Sequence, residues 1–228
     1  MISMKDNESK KPLPITSIPT TNDPGELQIR QGAYLPHWER EGALYFVTFR
    51  LGDSLPQSVL NSWIAERDTI QKIARLMNRP LNDEEAKRVF ELFSEKVEGY
   101  IDAGHGACWL QNAAIAKIVQ NAFLFFDGKR YLLHAWCIMP NHSHVVVQPL
   151  PGTKLERVLH SWKSYTANEA NKILNRQGQF WQGEPYDHLI RDEGDYYHCV
   201  DYTYSNPERA GLTNWPWRGK RDIGYQPY

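Results

Sequence analysis

Apolar positions along this chain repeat with two different periods, and the change of period marks its elements. From Tyr45 to Leu51 aromatic and β-branched residues alternate, which predicts a first strand. Arg130 to Met139 and His142 to Gln148 read as two further strands, separated by Pro140-Asn141 as a tight reversal. Helical spacing appears from Gln57 to Met77, from Asn82 to Ile101 behind an Asn-Asp-Glu-Glu start, and from Leu110 to Phe126. A long helix is predicted from Lys154 to Gln177. A loop and strand follow up to Arg191, then a last helix from about Glu193, with Pro207 predicted to end it at Asn206. This order predicts an α+β fold, one antiparallel sheet with helices on one face.

The domain organisation follows from composition. Residues 1–35 are rich in Pro, Thr, Ser, Asn and charge and read as a flexible N-terminal leader. Residues 36–215 read as the domain, with 57–101 as a helical insertion, and 216–228 as a C-terminal tail. The polar start and the lack of a bilayer-length apolar run point to a cytoplasmic protein with no membrane partner. Three cysteines without CxxC spacing argue against a disulfide framework or a thiolate zinc site. The net charge of −1 means that any nucleic-acid surface is a local groove rather than a global basic field.

The chemistry-bearing stretch is Met139-Pro140-Asn141-His142-Ser143-His144. On a strand, His142 and His144 project to one side and can hold a divalent metal with an open coordination sphere. In the last helix Tyr202 and Asn206 lie one turn apart, with His198 one turn before them. A tyrosine hydroxyl with an oxygen ligand one turn later suits metal-assisted phosphoryl transfer. A phenol of pKa about 10 needs a proton acceptor or a nearby cation to attack at neutral pH. Tyr197 with Asp201 has the same spacing, and spacing does not choose between the two pairs.

Five segments occur in order: the Met139–His144 stretch, Trp162-Lys163-Ser164-Tyr165, Phe180-Trp181-Gln182, Asp187-His188-Leu189-Ile190-Arg191, and Tyr202 to Leu212 with its Tyr-x-x-x-Asn-Pro start. This set is similar to the REP-associated tyrosine transposases, within the single-tyrosine HUH superfamily. The resemblance covers about Tyr45 to Leu212. It implies a ferredoxin-like fold, Mg2+ or Mn2+ held by His142 and His144, and Asn206 as a third ligand. It also implies a tyrosine nucleophile, and so selects Tyr202 over Tyr197. The implied substrate is single-stranded or hairpin DNA from palindromic repeats, cleaved to a 5′-phosphotyrosine and a free 3′-hydroxyl.

Two features depart from the family's pattern. Ser143 stands where a hydrophobic residue is usual, and the stretch from Gln57 to Ile101 is longer than the compact form needs. For DNA contacts, cations suit phosphates and planar side chains suit bases, which makes Lys163, Arg191, Arg157 and Trp181 the candidates. Monomer and homodimer both remain open. So do a hairpin-binding protein without transposition and a phosphodiesterase that uses water.

Overall fold

The computed structural model of the chain describes residues 28–31, 36–82, 84–85, 88–89 and 95–221. Its elements are β1 (Gln28–Gln31), β2 (Pro36–Glu39), β3 (Tyr45–Arg50), α1 (Gln57–Leu76), α2 (Glu95–Asp102), a 3-10 turn (Trp109–Gln111), α3 (Ala113–Phe125), β4 (Tyr131–Ile138), β5 (His142–Pro149), α4 (Leu155–Ile173), β6 (Tyr186–Leu189), α5 (Glu193–Arg209) and β7 (Arg218–Lys220). Apart from Gln28–Gln31, the leader expected over 1–35 lies outside the described residues. Those four residues are not loose chain but pair antiparallel with Pro36–Glu39.

The main sheet runs β6-β3-β5-β4-β7, with every pair antiparallel. Without β7, the unit β3-α3-β4-β5-α4-β6 has the connectivity and strand order of a ferredoxin-like fold. Helices α1 and α2 interrupt it between β3 and α3. The expected C-terminal tail contributes the fifth strand, and 222–228 lie outside the described residues.

Strand alternation divides the residues between the two sheet faces. Tyr45, Val47 and Phe49 of β3 and Val145 and Val147 of β5 share a core with Ile115, Val119 and Phe123 of α3 and Val158 and Trp162 of α4. Phe46, Val146 and Ala135 face the other way, against Tyr196, Cys199 and Val200 of α5. The fold class is the one read from the sequence, but the helices are not all on one face. A hydrophobic period shows that a helix has a buried side without showing which side of the sheet it covers.

Local chemistry explains most boundaries. Asn112 caps α3 by accepting from the Ala114 N–H, and Asp192 caps α5 by accepting from Asp195 N–H. The helix expected to stop at Asn206 continues through Pro207 to Arg209. Proline removes one N–H and crowds one carbonyl, but Pro207 is buried in the last turn, where packing offsets that loss. Strand β4 has an irregularity between Leu133 and Ala135 that leaves His134 without a partner in the β5 register. This extra residue shifts the alternation by one. Leu133 and Trp136 therefore both meet the α3/α4 core, while Ala135 faces α5.

Candidate active site

The β4–β5 turn closes with the Met139 N–H donating to the His142 carbonyl at 2.8 Å. It places His142 and His144, both fully buried, on the α5 side of the sheet. Their Nε2 atoms approach to 3.0 Å. The Nδ1 atom of His142 contacts Asn141 Oδ1 at 2.8 Å, and that of His144 contacts the Thr48 hydroxyl at 2.8 Å.

Asn141 fixes which nitrogen of His142 carries the proton. Its Nδ2 donates to the carbonyls of Ile101 (2.9 Å) and His105 (2.8 Å), so its Oδ1 is the atom facing the imidazole. His142 Nδ1 must then be the donor, which leaves Nε2 a lone pair. When the Thr48 hydroxyl accepts from His144 Nδ1, the second Nε2 is a lone pair too. Burial depresses the pKa of both imidazoles. At His142 Asp102 opposes that shift and Arg50 adds to it, while at His144 the neighbouring His142 adds to it. Both rings are therefore neutral, the form that binds a metal, at physiological pH.

The donor set fits a divalent cation. Two bonds of about 2.1 Å at right angles span about 3.0 Å, the separation of the two Nε2 atoms. The Oδ1 of Asn206, a residue 1 % exposed, is buried with no hydrogen-bond partner among the described residues. Asp102 is a member of the cluster that the sequence reading missed. Its carboxylate lies with His142 and His144 in one group whose ligand atoms are all within 4.8 Å of one another. No spacing rule links position 102 to 142, since only the packing of α2 brings them together.

Tyr202 meets His144 directly. Its ring stands edge-on to His144 with centroids 5.3 Å apart, and edge-on to Phe46 at 5.8 Å, while Phe46 stacks on His144 at 5.4 Å. The Arg209 guanidinium lies 5.1 Å from the Tyr202 ring centroid, and His198 stacks against the same ring at 6.4 Å. The other tyrosines of α5 have different surroundings. Tyr196 is buried against His134, with burial pushing its phenol up to about 12. Tyr197 packs edge-on against Tyr196, and Tyr204 lies under Arg218 and Lys220.

The expected DNA contacts fare differently. Arg191 is exposed at the junction of β6 and α5. Arg157 is exposed on α4, in a cavity of about 260 Å³ with Arg130, Ser161 and Trp162, in the layer across the sheet from the histidines. Trp181 is only 4 % exposed. Its Nε1–H donates to Thr166, and its ring packs edge-on to Phe49 and Phe180, which leaves it in the core rather than open to a base. Lys163 donates to the carbonyls of Gln182 and Gly183, both at 2.6 Å, and burial lowers its pKa to about 8. It ties the loop before β6 to α4. Arg50, not expected from the sequence, sits opposite His142 in the β3–β5 register.

Residues 111–188 match the family described as transposase IS200-like. The chain is 29 % identical over 110 residues to a putative REP-associated tyrosine transposase of Haemophilus influenzae, covering 41 % of this chain and 62 % of that protein. The REP-associated tyrosine transposase of Escherichia coli K12 is 27 % identical over 88 residues, covering 37 % of this chain and 51 % of that one. Over these stretches the chain is similar to REP-associated tyrosine transposases. It spans less than two thirds of the length of either curated relative. A solved REP-associated tyrosine transposase bound to a REP hairpin is similar at a TM-score of 0.48 and 16 % identity, over 87 % of this chain and 91 % of that one. The IS200-like match includes both histidines and stops before α5, so the choice of Tyr202 rests on its motif and on its contact with His144.

Proposed function

We propose that this protein is a metal-dependent single-strand DNA endonuclease and strand transferase acting on hairpin-forming repeat DNA. The observation that carries the proposal is the edge-on contact between Tyr202 and His144, which puts a phenol beside two converging, neutral imidazoles of the same chain.

In this reading His142 and His144 hold Mg2+ or Mn2+, and Asn206, with its orphaned buried Oδ1, is a further ligand. The bound cation would withdraw charge from the scissile phosphate. With the metal bound, Asn141 and Thr48 would accept from the two Nδ1–H groups and leave both Nε2 lone pairs to it. Arg209 lies over the Tyr202 ring, and His198, stacked against the same ring, is the proposed acceptor of the phenolic proton. The phenolic oxygen attacks phosphorus, the bond from phosphorus to the 3′-oxygen breaks, and that oxygen leaves as a hydroxyl after taking a proton. The products are a 5′-phosphotyrosine and a free 3′-end. Attack of a 3′-hydroxyl on the phosphotyrosine rejoins the strand and restores the phenol without an external energy source. Arg191 and Arg50 are proposed as phosphate contacts, and α1 and α2 as a helical insertion into the transposase domain.

The test is cleavage of a labelled hairpin oligonucleotide with Mn2+, comparing wild type and Tyr202→Phe. A covalent protein–DNA adduct in wild type only supports the proposal. Cleavage without an adduct in both proteins points to water as the nucleophile. Binding without cleavage by wild type points to a hairpin-binding protein.

A further inference from the structure

Three electron-rich atoms converge at the histidine pair, and hydrogen bonding accounts for only two of them. His142 Nε2 and His144 Nε2 can share one proton when His144 carries it there. The third atom is Asp102 Oδ1, 3.3 Å from His142 Nε2 but outside hydrogen-bonding geometry, buried and without a hydrogen-bond partner among the described residues. The ring proton of His142 is already committed to Asn141 Oδ1, so His142 has no N–H to offer the carboxylate. A buried carboxylate oxygen against a lone pair is repulsive, and such a group calls for a cation.

The position of Asp102 is held by more than one contact. It is the last residue of α2, and the carbonyl of its neighbour Ile101 accepts from Asn141 in the β4–β5 turn. The chain leaving α2 is held as well, because the Ala107 N–H donates to Asp53 Oδ2 at 2.8 Å. At Gly106, with φ +91°, an added Cβ would stand 2.8 Å from the Asp53 carbonyl oxygen, so the close approach requires glycine. One asparagine thus sets the tautomer of His142 and holds the end of α2 beside it.

We propose that Asp102, carried by the inserted helix α2, is a direct ligand of the cation held by His142 and His144. The inference rests on the metal-dependent reading above and adds a carboxylate to its ligand set. Its 3.3 Å separation from His142 Nε2 matches two bonds of about 2.1 Å at an angle of about 104°. A carboxylate oxygen shifts the site towards hard cations such as Mg2+ and Mn2+. It also makes metal loading depend on the seating of α2, although that helix lies outside the ferredoxin-like unit.

The experiment is Mn2+ binding to the full chain without DNA, by titration calorimetry and by loss of the free-ion electron paramagnetic resonance signal. Wild type, Asp102→Asn, Asp102→Glu and His144→Ala are compared. Asp102→Asn is expected to weaken Mn2+ binding by about ten-fold or more, with Asp102→Glu recovering part of it. Urea unfolding of metal-free Asp102→Asn should have a midpoint no lower than that of wild type, which shows that the fold is retained. Wild-type Mn2+ affinity in Asp102→Asn, with affinity lost in His144→Ala, overturns the role of Asp102 alone. No Mn2+ binding by wild type overturns this inference together with the metal-dependent reading.

Discussion

Replacing Asn141 by alanine tests the link between the stability of this fold and its chemistry. The side chain is fully buried and makes three contacts: two from Nδ2 to the Ile101 and His105 carbonyls, and one from Oδ1 to His142 Nδ1. The His105 carbonyl lies in a part-buried setting where water can replace the lost donor. The other two groups are in buried settings, and each is expected to cost about 1–3 kcal/mol when left unsatisfied. Asn141→Ala should therefore lower unfolding free energy by about 3 kcal/mol, or Tm by roughly 6–12 °C for a domain of this size. Urea unfolding followed by the fluorescence of the eight tryptophans measures the first effect. Mn2+ titration measures the second, a loss of roughly 10–100-fold as His142 loses its fixed tautomer. Asn141→Asp separates the two, because a carboxylate still accepts from His142 but repels the two carbonyls. It should lose stability and retain more Mn2+ affinity than alanine. Stability within about 0.5 kcal/mol of wild type in Asn141→Ala, together with unchanged Mn2+ affinity, would refute the reasoning.

Two further perturbations probe other parts of the molecule. Burial, with help from Arg221, holds the His134 imidazole down at about 4, below its value of about 6.5 in an unfolded chain. The unfolded state therefore binds the extra proton between these values, and stability falls as pH drops from 6.5 to 4 and levels off below. The slope from this group is about 1.4 kcal/mol per pH unit, for a total of about 3 kcal/mol. His142 and His144 add to the slope in the same direction. Urea midpoints from pH 4.5 to 7 should show a shallower dependence in His134→Gln, and an unchanged slope would count against the assignment. For Trp181, alanine should cost about 3–5 kcal/mol as a buried indole, whereas phenylalanine should leave hairpin binding in a gel shift within about two-fold of wild type. A large loss of DNA affinity in a stable Trp181→Phe protein would return that ring to the DNA surface.

Patterns confined to one element were legible in the sequence. The alternation from Tyr45, the paired projection of His142 and His144, and the stacking of Tyr202 above Asn206 are properties of a single strand or helix. Relations between elements were not. Nothing in the period of α5 says that it covers the sheet face opposite α3 and α4, and nothing in the β4 sequence announces that His134 is an extra residue. Side-chain composition does not show the surroundings of Trp181 and Lys163. An indole and an ammonium suit DNA, yet here one is enclosed by Phe49 and Phe180 and the other is bound to two carbonyls. Ser143 illustrates the same limit. It points away from the histidines, as alternation requires, but its fully buried hydroxyl has no partner among the described residues, a detail set by the packing of the other face.

Strand β7 bears on what the edge of the sheet offers to another chain. It pairs along Ala135, Trp136 and Cys137, while the Ile138 and His134 main chains bond to Trp217 and Arg221. Gly219 lies so close to Trp136 that a Cβ there would be 2.7 Å from the indole nitrogen. Without this strand, β4 would be the rim of the sheet, a run of Tyr-Leu-Leu-His-Ala-Trp-Cys-Ile with open main-chain donors and acceptors. Such a rim is a template for another β4, and chains cut short before Arg218 would be prone to stack into insoluble aggregates. The short basic strand thus acts as a guard on solubility.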